Sequence, residues 1–179
     1  MDFLLTALPR SATTWASVWL MDRALCYHDP LANRTPEELR ALKLSRKWGI
    51  SDTTIWALPD EMKRFDCPIA ILERDVTEIK KSMARLGAPK INDMEVILFN
   101  RAPGRRFHYA QMFDLKGALE IWEYLRPDVP MDIPRWEILR GIQIEPDFGS
   151  IRHDMAAIEA NMDLIHKAAR AVFGAPNGG

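Results

Sequence analysis

An α/β fold in three layers, a central parallel sheet with helices on both faces, is what this chain predicts. Three observations carry the prediction. Short apolar runs of strand type alternate with segments of helical period, and short turns join them. The run Pro68-Ile69-Ala70-Ile71-Leu72-Glu73 shows no polar alternation, the pattern of a strand covered on both faces. The chain has 179 residues with 47% hydrophobic content, enough for a substantial core. Residues 1–173 are expected to form one domain and 174–179 a disordered tail.

Taken in order, residues 2–8 read as a buried strand and 14–22 as a helix apolar on nearly every side, which other elements must cover. Residues 24–28 form a second strand, ended by Asp29-Pro30, where proline turns the chain. Thr35-Pro36-Glu37-Glu38 combines a cap, a proline at the first helical position and a glutamate three residues after the cap. A helix is expected to follow to about Lys47 and stop near Gly49. A short helix is expected over 59–65, then a strand over 68–73, read as the central one. Val76, Ile79, Met83 and Leu86 share one helical face, so strand passes into helix at Arg74. Residues 94–99 read as a strand, 100–106 as a loop, and 114–125 and 134–140 as helices. Ile151, Met155, Ile158, Met162, Ile165 and Val172 form the stripe of a last long helix.

Net charge is −1 with both signs interspersed, so the surface is not built for nucleic acid or an anionic membrane. Cys26 and Cys67 lack a CxxC or histidine spacing, which argues against a disulfide framework or a zinc site and for reduced core thiols. Asp2 replaces the basic start of a leader and Arg10 interrupts the apolar run, so the N-terminus reads as structure. No run approaches the roughly 20 apolar residues of a spanning helix. A cytoplasmic protein is expected.

In a parallel sheet, ligands bind beyond the C-terminal strand ends. Leu8-Pro9-Arg10-Ser11-Ala12-Thr13-Thr14-Trp15 places a basic, hydroxyl-rich turn there, between the first strand and its helix. Unpaired amides and the positive helix end would then face one point, suited to phosphate or sulfate. The competing reading is ordinary capping by Ser11 or Thr13. His28-Asp29 and Arg74 fall at two further strand ends. They admit plainer readings, as a turn and as a surface pair of Arg74 with Glu73 or Glu78. Trp15 reads as a core residue whatever else it touches, and His153 and His166 as solvated.

The turn lacks the GxxxxGK[ST] of a nucleoside triphosphatase loop. It resembles instead the loop of sulfotransferases that use 3′-phosphoadenosine 5′-phosphosulfate, which reads Pro, Lys or Arg, Ser, Gly, Thr, Thr, Trp; six of seven positions match. Ala12 stands where the family has glycine, and a Cβ there narrows the pocket or shifts its amides. In the same family a strand-end arginine and a serine eight residues later hold the nucleotide 3′-phosphate, and Arg74 and Ser82 match that pair. The resemblance covers residues 1–87; Ile121-Trp122 and Arg135-Trp136-Glu137 are similar to the tails of small bacterial and phage members.

The resemblance implies a P-loop NTPase-like fold and sulfuryl transfer from that donor to a hydroxyl or amine, with a small molecule or carbohydrate as acceptor and no metal. Arg10 would take the bridging oxygen and leaving phosphate. Ser11, Ala12, Thr13 and Thr14 would line the 5′-phosphate, and Trp15 would stack on adenine. Members acting on phenols and steroids use a histidine upstream of the strand-end arginine, and the region around Asp52 holds none. Carbohydrate-modifying members use a glutamate after the second strand, often before proline; Asp29-Pro30-Leu31 matches with a shorter acid, making Asp29 the favoured base and His28 the next. Of the family's late basic, glycine-rich segment only Arg140-Gly141 is present.

Two other classes stay open. One is a non-catalytic binding or assembly protein that keeps the fold and exposes an apolar face, with Trp122, Trp136 and Leu139 as candidates. The other is a degenerate nucleotide or small-molecule kinase, against which the missing lysine and metal carboxylates count. Self-association into a homo-oligomer also stays open.

Overall fold

Strand β1, Phe3–Ala7, is buried at every residue and takes the middle of the sheet. Around it lie β2 (Leu25–His28), β3 (Trp48–Asp52), β4 (Ile69–Glu73) and β5 (Arg105–His108), all parallel, in the order β2-β3-β1-β4-β5. The computed structural model describes residues 1–142, 162–168 and 170–172. An α/β architecture with helices on both faces is therefore observed, and the central position belongs to β1 instead of β4.

The helices divide by face. On one side α1 (Thr13–Leu20), α6 (Leu115–Leu125) and α7 (Ile133–Arg140) pack Trp15, Trp19, Ile121, Trp122 and Trp136 against Phe3, Leu5 and Leu72. On the other, α2 (Pro36–Ala41), α3 (Pro59–Met62), α4 (Val76–Arg85), α5 (Asp93–Asn100) and the 3-10 turn Ile55–Ala57 bring Leu39, Ile55, Trp56, Ile79, Met83 and Leu98 onto Leu4, Ile50 and Ile71. A buried indole N–H usually finds an acceptor. Trp15, Trp56 and Trp136 donate to the carbonyls of Leu139, Thr53 and Met112 at 2.9, 2.7 and 2.8 Å.

Helix α1 carries no basic residue in its last turn, yet its final carbonyls are met from far along the chain. Arg135 donates to the carbonyls of Trp19 and Val18 at 2.9 and 2.6 Å, and Arg126 to that of Leu20 at 3.0 Å. Two guanidinium groups thus sit where the helix dipole is negative. Burial lowers the Arg126 pKa from its ordinary value, against the raising influence of Asp22.

Several expectations are corrected. Helix α2 ends at Ala41, with Leu42 already extended, and a new strand, β3, begins at Trp48. Gly49 lies inside that strand: opposite Phe3, a Cβ there would come within 2.3 Å of the phenyl ring, so the glycine permits close strand approach and stops no helix. Residues 94–99 are helical, within α5, begun by a capping box in which Asn92 and Glu95 bond each other's backbone amides. The supposed loop over 100–106 leads into β5, whose Arg105 and Arg106 pair with Glu120 and Glu73 along the sheet edge. Helix α3 is shorter than expected, ending at Met62.

Of the last expected helix, 162–168 and 170–172 are helical, with Met162 and Ile165 buried and Val172 exposed. Its part over 151–161, including His153, and the tail over 174–179 lie outside the described residues. His166 is not simply solvated: its Nε2 lies 2.8 Å from Oε1 of the buried Glu95. Cys26 and Cys67 are free thiols, buried and half-buried, and burial pushes each up to about 12. Trp122 and Trp136 are each 1% exposed and Leu139 is packed on the core, so the three form no exposed apolar face. Among the described residues, no helix is long and apolar enough to cross a membrane.

Candidate functional site at the C-terminal edge of the sheet

Because every strand is parallel, the ends of β1, β2, β3, β4 and β5 gather on one edge. After β1 the chain leaves through α1 toward β2; after β3 it leaves through Ile55–Ala57 and α3 on the opposite face, crossing β1 to reach β4. The edge between β1 and β3 is therefore the point where connections diverge, the usual crevice for a ligand in this architecture.

The turn after β1 is unusual in its backbone. Arg10 and Ala12 both adopt left-handed conformations, with φ of 68° and 62°, at a cost of roughly 1–2 kcal/mol each for a residue carrying a Cβ. Ala12 occupies the N-cap of α1 and, among the described residues, no side chain caps the helix, so neither Ser11 nor Thr13 plays that ordinary role. The Ser11 hydroxyl is instead fully buried with no hydrogen-bond partner among the described residues. Such a group commonly marks the place of a water or ligand. The positive φ at Ala12 is a backbone conformation that glycine adopts without the steric cost of a Cβ.

Side chains from three segments meet beside this turn. Arg10 Nε donates to Ser82 Oγ on α4 at 3.1 Å, and Arg74 Nη1, at the end of β4, donates to the carbonyl of Arg10 at 2.6 Å. Arg74 Nε donates to Glu78 Oε2 at 3.1 Å, and its guanidinium lies 4.8 Å from the centre of the Tyr109 ring. The surface pairing weighed for Arg74 is thus real with Glu78, a contact worth about 0.2–1 kcal/mol as a solvent-exposed ion pair. It coexists with the link to Arg10. Asp75 caps α4 by accepting from the Glu78 amide, and its carboxyl is held below the ordinary range mainly by that bond.

On the other side of the turn, His28 Nε2 lies 3.3 and 3.1 Å from the hydroxyls of Thr13 and Thr14 and 3.6 Å from Asp29 Oδ2. Ser51 Oγ donates to the Thr13 carbonyl at 2.8 Å, fastening the start of α1 to β3. Asp29 is itself left-handed, with φ of 44°, and its Oδ1 accepts from both the amide and the hydroxyl of Thr53, at 2.7 and 3.0 Å. Behind it Asp52 is fully buried; its Oδ1 accepts from the Thr54 and Ile55 amides, both at 2.7 Å. Burial first, and then the charge of Asp29, raise Asp52 to about 7, against the lowering effect of those amides.

The structure accordingly brings Arg10, Ser11, Ala12, Thr13, Thr14, His28, Asp29, Arg74 and Ser82 to one edge. Trp15 is placed differently. It is 4% exposed, with its ring 4.8 Å from that of Phe113 and 5.6 Å from that of Trp19, so it packs in the core and offers no face to a base. Arg140 lies 4.9 Å over the Trp136 ring and Gly141 ends α7, both ordinary features of a helix end. Asp52 and Thr53 adjoin the candidate site but escaped the sequence reading, in which Glu78 stood only as a surface partner of Arg74. The polar cluster Ser51-Asp52-Thr53-Thr54 directly after Trp48-Gly49-Ile50 was the available signal for the first two. Among the described residues, no three His, Cys, Asp or Glu side chains gather as a metal would need.

No protein-family model, no curated protein and no solved structure matches the chain.

Proposed function

We propose that this is a P-loop sulfotransferase-like protein that binds 3′-phosphoadenosine 5′-phosphosulfate at this edge and passes its sulfuryl group to a hydroxyl or amine of a small-molecule or carbohydrate acceptor. One observation carries the reading: Arg10, Arg74 and Ser82, from separate segments, are linked beside a helix N-terminus that no side chain among the described residues caps. A doubly anionic ligand suits such a place, with one group at the amides of Thr13 and Thr14 and another at Arg74 and Ser82. The buried, unpartnered Ser11 hydroxyl fits an anion seated at the turn. The donor supplies a sulfuryl group whose transfer breaks its bond to the phosphate oxygen as the acceptor atom attacks in line.

The chain's own residues then have separable tasks. Arg10 meets charge on the departing phosphate, in a setting where fixed donors count for more than in water. Thr13 and Thr14, steadied by His28, orient the group at the helix end. Asp29 takes the acceptor proton; Thr53 holds one of its oxygens, and the other faces His28, the alternative base. A second reading, a binding protein without turnover, draws support from Trp15, whose burial removes the base platform that the resembling enzymes use.

Thermal unfolding in the presence of 3′-phosphoadenosine 5′-phosphate tests the reading, with AMP and ATP as controls. A ligand at 100 times its Kd stabilises by about 2.7 kcal/mol, or about 5–10 °C in a chain of this size. A rise specific to the 3′-phosphate and lost in Arg74→Ala is expected. No shift with any nucleotide overturns the proposal.

A further inference from the structure

We propose that Glu78 is a built-in competitor for the anion seat at Arg74, so that the protein's own carboxylate sets how tightly the site takes a phosphate or sulfate group. The inference rests on Arg74 being an anion seat, as in the functional reading above. Arg74 has five N–H donors, of which Nε faces Glu78 Oε2 at 3.1 Å and one of Nη1 faces the Arg10 carbonyl. A carboxylate on Nε occupies one arm of the fork that an incoming tetrahedral anion would engage side-on.

Other helices of the same chain show that this placement of Glu78 is a diversion. In α2 and α5 the glutamate in the third helical position turns back onto the cap residue: Glu38 Oε2 accepts from the Thr35 amide at 2.7 Å, and Glu95 Oε2 from the Asn92 amide at 2.9 Å. Helix α4 has the same parts in the same places, Asp75 at the cap and Glu78 three residues on, with the Glu78 amide donating to Asp75 Oδ1 at 3.0 Å. Only half of the reciprocal pair is made, because the Glu78 carboxylate is turned onto Arg74. The missing half is a ready destination. When an anion claims Arg74, Glu78 can swing to the Asp75 amide and complete the box, so its displacement costs little.

Binding of sodium sulfate and of 3′-phosphoadenosine 5′-phosphate to the wild-type chain, Glu78→Gln, Arg74→Ala and the double variant tests this by calorimetric titration. Glutamine keeps the length of the side chain and its ability to complete the box, and removes only the charge. Glu78→Gln is expected to bind both anions about three- to ten-fold tighter, from the lost competition and repulsion, with no gain in the Arg74→Ala background. Equal affinities in wild type and Glu78→Gln overturn the inference and leave the functional reading standing. Tighter sulfate binding in Glu78→Gln without any nucleotide binding supports the inference and sinks the functional reading. A gain that survives in Arg74→Ala reflects net charge alone and overturns the inference. Absence of binding of either anion to every variant overturns both.

Discussion

Arg10 and Ser82, 72 residues apart in the chain, are joined by a 3.1 Å hydrogen bond from Nε to Oγ. The contact ties the turn after β1 to the helix after β4, so the two halves of the candidate site are one physical unit. Neither residue stabilises a core, since both are only half-buried.

Ser82→Ala isolates the ligand side of that link. Its melting temperature should stay within the change of about 0.5 kcal/mol typical of surface substitutions. Affinity for 3′-phosphoadenosine 5′-phosphate should fall about ten-fold, the worth of one hydrogen bond to a charged group. Binding of AMP, which lacks the 3′-phosphate, should be unchanged, and calorimetric titration of the two nucleotides checks the difference.

Ala12→Gly should stabilise the free protein. The left-handed backbone at Ala12 costs more with a Cβ than without, and the gain exceeds the entropy that glycine adds to the unfolded chain. A net gain of about 0.5–1 kcal/mol corresponds to a rise of about 1–4 °C in a thermal melt. A fall in melting temperature would show that the strain is compensated locally.

Gly49→Ala should do the reverse, by about 2–4 kcal/mol. Its Cβ would meet the Phe3 ring at 2.3 Å and the Phe3 carbonyl at 2.5 Å across the central strand pair, where neither partner can retreat. A lowered urea midpoint with an unchanged m-value is the expected signature.

Asp52 makes stability depend on pH. Its pKa is raised from 3.8 to about 7 in the folded state, so between these values the native chain holds more protons than the unfolded one. Stability therefore falls as pH climbs from about 4 to about 7 and then levels, with a span on the order of 2–4 kcal/mol. Glu95, also raised by burial, adds to the slope in the same direction. Asp52→Asn, which keeps an acceptor for the Thr54 and Ile55 amides, should flatten the slope to the part due to other groups. Denaturant titrations at pH 4.5 and 8 measure it.

How far sequence reading reached depended on what each element is made of. β1 and β4 announce themselves through largely apolar runs, and α4 and α6 through helical stripes with acidic caps. β3 did not, because glycine, serine and aspartate in Trp48–Asp52 disfavour strands in isolation; burial between β1 and β2 overrides that preference. α5 hid behind the β-rich composition of Val96-Ile97-Leu98-Phe99, although the Asn92–Glu95 box signalled a helix start. The strand-end residues of the site were legible for the strands that were found. Asp52 and Thr53 went unseen with β3, and Glu78 entered only as a surface partner, its competing role being a matter of side-chain direction.

The two arginines that meet the far end of α1 have an implication for modularity. Helix α1 presents its N-terminus to the candidate site, while its axis is anchored by Arg126, Arg135 and the Trp15–Leu139 bond, all supplied by the last third of the described chain. The seven-residue turn that is easiest to recognise by eye is therefore the least autonomous part of the molecule. Grafted elsewhere, or cut loose from residues beyond 125, it would keep its letters and lose its aim.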